Sequence, residues 1–83
     1  MSYPEWHIYC LRVTAESDPG ALMRVLERLT NLNIVPRRLV AESATNGVLQ
    51  IQLHLSGLTE QTVRLITAKL AQVPCILNVY YHS

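Results

Sequence analysis

A chain of 83 residues, 49% of them apolar and with a formal net charge of +1, has room for one hydrophobic core and none for two. The balanced charge, with Arg37-Arg38 the only basic pair, argues against nucleic acid. No apolar stretch is long enough to span a bilayer, and Met1-Ser2-Tyr3-Pro4-Glu5 lacks the basic and apolar regions of a secretion signal, so a cytoplasmic protein without a membrane partner is expected.

The apolar fraction is high for so small a domain, which predicts an oligomeric or docked state. Two distant cysteines, Cys10 and Cys75, with no Cys-x-x-Cys pair, fit reduced thiols acting as small apolar residues, with neither a disulfide nor a metal expected.

Residues 6–15 are rich in β-formers and predict a strand. Leu11, Val13 and Ala15 share one face, and Cys10, Arg12 and Thr14 the other. Trp6, Ile8 and Cys10 make the start of that second face apolar too, which suggests cover by a partner; equally, an aromatic near a terminus can simply lie over the sheet edge.

The strand leads into Ser17-Asp18-Pro19-Gly20-Ala21-Leu22, the candidate site. Asp18 is read as the helix cap and Pro19 as the first helical residue. Gly20 removes a side chain where free backbone N–H groups point outward, so a carboxylate or phosphate could approach them. The same residues also describe an ordinary capped helix.

From Pro19 the period becomes helical. Leu22, Val25, Leu26 and Leu29 form one face, Arg24, Glu27 and Arg28 the other, and Arg24 and Glu27 are spaced to pair. The helix should end at 31–33, where asparagine tolerates a left-handed conformation.

Residues 34–45 read as a second strand, placed at the sheet edge by Pro36, which cannot donate to a central ladder. Such an edge can pair with another copy of itself. Asn46-Gly47 predicts a type I′ hairpin turn. In residues 48–56, Leu49, Ile51, Leu53 and Leu55 alternate inward while Gln50, Gln52 and His54 face solvent.

Thr59 or Ser56 starts a second helix, with Glu60 in its first turn and Val63, Ile66 and Leu70 as its apolar stripe. Pro74 stops it. Residues 75–82 make a last strand with Leu77, Val79 and Tyr81 on one parity and His82 fraying at the end. This order predicts an α+β, ferredoxin-like βαββαβ sandwich: a four-stranded antiparallel sheet with two helices on one face.

That fold hosts unrelated functions, so residues must choose among them. The chain has no Gly-x-Ser-x-Gly, His-Glu-x-x-His or Gly-x-x-x-x-Gly-Lys, and its three histidines fall on separate elements. An acylphosphatase-like enzyme would need an arginine in a glycine-rich first loop, which here is the acidic Glu16-Ser17-Asp18. An RNA-binding module would display aromatics where the third strand has Gln50, Gln52 and His54, and a metal chaperone would carry paired cysteines in the first loop. A binding or regulatory module remains.

The strand Leu11-Arg12-Val13-Thr14-Ala15, then Asp18-Pro19-Gly20-Ala21-Leu22, then Val25, Leu26, Leu29 and Ile34, with the hairpin and second helix in register, resembles the ACT domain, a regulatory unit of amino-acid metabolism. The resemblance runs from about residue 6 to 80. Stretches 26–29, 39–43, 48–53 and 70–79 are most similar to the short small subunit of acetohydroxyacid synthase, the enzyme that begins branched-chain amino-acid synthesis.

This resemblance implies a non-catalytic subunit with no cofactor of its own. It would form a homodimer and activate a catalytic large subunit that holds thiamine diphosphate and, in this family, flavin. It also implies a small amino-acid effector site at the dimer interface. One copy would supply Ser17, Asp18, Pro19, Gly20, Ala21 and Leu22, with the backbone at Gly20 and Ala21 holding the carboxylate; the other would supply Ile34 and Val35.

Valine-sensing small subunits carry asparagine where this chain has Ser17 and Val35. Valine offers no hydrogen bond, a loss worth roughly 1–3 kcal/mol, so weak or absent valine feedback is implied. Two other readings are a free-standing ACT amino-acid sensor and a small ferredoxin-like enzyme using His54 or Glu16, for which no base–nucleophile pair can be built from the residue pattern.

Overall fold

The computed structural model describes residues 7–83. Its elements follow in the order β1 (Ile8–Glu16), α1 (Ala21–Asn31), β2 (Arg38–Ser43), β3 (Val48–Ser56), α2 (Glu60–Ala71) and β4 (Ile76–His82). The four strands form one antiparallel sheet in the order β2-β3-β1-β4. This is the βαββαβ ferredoxin-like sandwich that the pattern predicts.

Alternation in the two central strands makes the core. Leu11, Val13 and Ala15 of β1 and Ile51, Leu53 and Leu55 of β3 are buried on the helix side, facing Val25 and Leu29 of α1 and Val63, Ile66 and Leu70 of α2. A smaller cluster of Ala15, Ala21, Val73 and Cys75 closes the end where β1 hands over to α1. Both cysteines are buried, as expected of thiols serving as apolar residues. Among the described residues no polar or charged residue is buried, and no helix is long and apolar enough to cross a membrane.

Several boundaries differ from expectation, each for a local reason. Helix α1 starts at Ala21, two residues after Pro19, and Ala21 takes a buried position while Leu26 stands exposed. Its end is as predicted: Asn33 takes φ 59°, and Ile34 N–H donates to Leu29 O at 2.9 Å. That closure consumes Ile34, and Pro36 has no N–H, so β2 begins only at Arg38. It lies at the sheet edge.

The hairpin is not type I′, because Asn46 does not take a positive φ. Gly47 N–H donates to Ala44 O at 3.3 Å and Ala44 N–H to Val48 O at 2.8 Å, with Gly47 at φ 82°. This is a turn closed by a glycine bulge, and it takes Ala44 and Thr45 out of the strand.

In β4 the register steps from Thr14↔Asn78 to Ala15↔Ile76, so Leu77 is an inserted residue and points away from the core, 55% exposed. Ile76, Val79 and Tyr81 pack inward instead. His82 is not frayed: it pairs with Cys10 in the ladder, and its Nε2 accepts from Arg12 Nε at 3.4 Å. Helix α2 matches its prediction, with Thr59 Oγ1 accepting from Thr62 N–H at 3.2 Å. On the sheet's open face Cys10 is buried and Ile8 exposed, while Trp6 lies outside the described residues.

Candidate functional site

The 17–22 turn is held from three sides. Glu16 N–H donates to Cys75 O at 2.8 Å, Ser17 N–H to Gly47 O at 3.2 Å and Asp18 N–H to Glu16 O at 2.7 Å. The turn is thus tied to the β2–β3 hairpin and to the start of β4.

Asp18 does not cap α1 as expected. Gly20 is the N-cap residue, with no side-chain cap bond, and Asp18 stands two residues before it, so its side chain bonds the N-cap N–H and not that of a helical residue. Its Oδ1 accepts from Gly20 N–H at 2.9 Å, and its backbone oxygen accepts from Ala21 N–H at 2.9 Å. Bonding two residues ahead is the habit of a turn-forming aspartate.

The two N–H groups that the resemblance assigns to an effector carboxylate are therefore already taken by Asp18. Among the described residues, no acceptor takes the N–H of Leu22 or Met23.

Arg24 completes the closure. Its Nη1 lies 3.0 Å from Asp18 Oδ2, so Arg24 pairs with Asp18 instead of the expected Glu27, which reaches only Arg28 at 3.8 Å. Its guanidinium also covers Gly20, where a Cβ would sit 3.5 Å from Arg24 Cζ. Gly20 has an ordinary helical φ of −85°, and a Cβ there would meet Arg24 only at van der Waals distance, so neither the backbone angle nor the space within the chain demands a glycine.

The electrostatics follow. The Gly20 N–H first, then Arg24, hold the Asp18 carboxyl below its ordinary value, while Cys75 first, then Asp18, raise the basicity of Arg24. Arg24 carried no sign of this role in sequence; a basic residue on a helix's outer face is usually solvated.

The remaining candidates are spread out. Ser17 and Pro19 are exposed, Ala21 is buried, Leu22 and Ile34 pack partly against the core, and Val35 is 88% exposed. The 17–22 segment precedes α1 and the 34–35 segment follows it. Eleven helical residues separate them by about 16 Å. One chain does not bring both segments to a small ligand.

The residues of the enzyme reading also stay apart. His54 is half-buried, not freely solvated, with Nε2 4.0 Å from Cys10 Sγ. Glu16 pairs with Val48 at the far end of the same ladder, six residues away or roughly 20 Å. Among the described residues no three of His, Cys, Asp and Glu are grouped to hold a metal ion.

Residues 5–83 match the family described as the ACT-like domain. The chain belongs to the ACT-like domain family. No curated protein matches its sequence.

Among solved structures, the ACT-like chain is similar to the ACT domain from GTP pyrophosphokinase of Chlorobium tepidum, with 15% identity, a TM-score of 0.79, and 99% of this chain and 100% of that one covered. It is similar also to the C-terminal domain of the MgtC protein from Mycobacterium tuberculosis, at 19% identity and a TM-score of 0.73, covering 99% and 92%. A homoserine dehydrogenase from Thiobacillus denitrificans matches at 23% identity and a TM-score of 0.72, over 89% of this chain and 16% of that one. At these identities the likeness is one of fold.

Proposed function

We propose that this ACT-like chain is a non-catalytic, cytoplasmic regulatory subunit that dimerises and activates an acetohydroxyacid synthase catalytic chain, with weak or absent response to valine. The observation that carries the regulatory reading is the ACT-like match across residues 5–83. The choice of partner rests on the resemblance of stretches 26–29, 39–43, 48–53 and 70–79 to the short small subunit.

The geometry favours both the dimer and the weak response. Segments 17–22 and 34–35 lie at opposite ends of α1, so a ligand touching both needs a second copy. An incoming carboxylate meets Asp18 already on Gly20 N–H, and Ser17 and Val35 supply no amide to compensate.

The test is co-expression of the tagged chain with an acetohydroxyacid synthase large subunit. Co-purification, together with faster acetolactate formation than the large subunit shows alone, is expected, and millimolar valine should change that rate little. If the chain neither co-purifies nor changes turnover, the assignment fails. A thermal melt of the isolated chain against each amino acid then decides whether it is a free-standing sensor. Ligand at a hundred times its dissociation constant stabilises by about 2.7 kcal/mol, which for a domain this small moves the midpoint by roughly ten degrees or more.

A further inference from the structure

Between the two helices lies an open surface groove of about 430 Å³, lined by Arg28, Asn31 and Leu32 from the end of α1 and by Lys69 and Gln72 from the end of α2, of which Asn31, Lys69 and Gln72 are exposed and Arg28 and Leu32 half-buried. That volume falls in the range of small-molecule sites. It shares no residue with the 17–22 turn, so it stands independently of the reading proposed above.

Its lining is chemically one-sided. Two side chains are permanent cations, two are amides that can donate, one is apolar, and none is a carboxylate. Among the described residues the one carboxylate paired with either cation is Glu27, whose Oε1 is 3.8 Å from Arg28 Nη1, at the outer limit of an ion pair between two exposed groups. The Lys69 ammonium has no ion-pair or hydrogen-bond partner among the described residues.

A cation in the last turn of a helix is ordinary, since it meets the negative end of the helix dipole, and Arg28 and Lys69 each occupy such a position. The dipole explains one cation per helix. It does not explain why both line one groove together with two donor amides and no acid.

We infer that this groove binds a small oxyanion carrying at least two negative charges, a diphosphate or a dicarboxylate, gripped by the Arg28 guanidinium and the Lys69 ammonium. The planar guanidinium can take two oxygens of one phosphate or carboxylate at once, and Lys69 acts as a point charge on the second anionic group. The Asn31 and Gln72 amides donate to the oxygens that remain.

The test is an amide-resolved NMR titration of the full chain with inorganic pyrophosphate and, separately, with succinate, at ionic strength held constant with sodium chloride. Saturable shifts confined to residues 28–32 and 69–72, including the side-chain amides of Asn31 and Gln72, are expected. Arg28→Gln and Lys69→Gln should each weaken binding about tenfold or more, while the loss of one cation from the negative end of a helix lowers the melting midpoint by only a few degrees.

Binding of pyrophosphate alone supports a phosphate-bearing ligand, and binding of succinate alone a dicarboxylate; binding of both supports the shared chemistry. No saturable shift with either anion, shifts confined to residues 17–22 or to the open sheet face, or full affinity in Lys69→Gln would overturn the inference.

Discussion

Asp18 answers two donors at once, Gly20 N–H through one oxygen and Arg24 Nη1 through the other. Both contacts favour its charged form, and its pKa is lowered by Gly20 first and Arg24 second. A carboxylate depressed in the folded state contributes stability that is complete above its unfolded value near 4 and disappears as pH falls through the folded value. Asp18→Asn should therefore melt below the parent at pH 7, and the gap should narrow as pH falls from about 4 toward 2. The gap will be small, because both partners are about half exposed. Thermal melts of the two proteins across that pH range measure it; an equal gap at pH 2 would mean that the charge is not responsible. The turn itself was readable from Asp18-Pro19-Gly20, but which backbone N–H Asp18 engages was not, because a helix cap and a turn-forming aspartate use the same residue type at positions only two apart.

The elements were readable wherever alternation or helical spacing ran unbroken, as in β3 and α2, where the predicted inward residues are buried except for Leu49, which packs against the core only partly buried. Misreadings cluster at interruptions. In β4 an inserted Leu77 moves every later inward residue one place relative to Ile76, and a bulge leaves no mark in composition. Substitution separates the two parities. Leu77→Ala should change stability by no more than about 0.5 kcal/mol, because the side chain already meets solvent. Val79→Ala removes partly buried methyl groups packed on the core and should cost about 1 kcal/mol, or roughly 4–8 °C in midpoint. A larger loss at Leu77 than at Val79 would restore the unbulged register. At the other edge, β2 is shorter than its pattern because the closing turn of α1 takes its beginning and the glycine-bulged hairpin takes its end. Both devices satisfy backbone groups locally, and strand propensity competes poorly with bonds made within five residues.

At the scale of the molecule, the candidate site and the oligomeric state are one question. Strand β2 is an edge strand, with one side of its backbone unpaired in the single chain, and Val35 just before it is almost fully exposed. A second copy added along β2 would pair those backbone groups and bring its own 34–35 segment across the axis. Light scattering at micromolar concentration should then give twice the 9.4 kDa of one chain. Val40 sits in β2 opposite Gln52, partly buried on the open face of the sheet. Val40→Asp would set a carboxylate near its own symmetry mate across such an axis, and like charges desolvated together should weaken the dimer at least about tenfold. A mass that stays double in Val40→Asp would move the interface away from β2. A single-chain mass in the parent would remove the effector site altogether, because the 17–22 turn and the 34–35 segment meet only through a second copy. A dimer that nonetheless shows no melt shift with any amino acid would leave Asp18 and Arg24 as the permanent occupants of the turn, and the chain as a subunit that acts by docking alone.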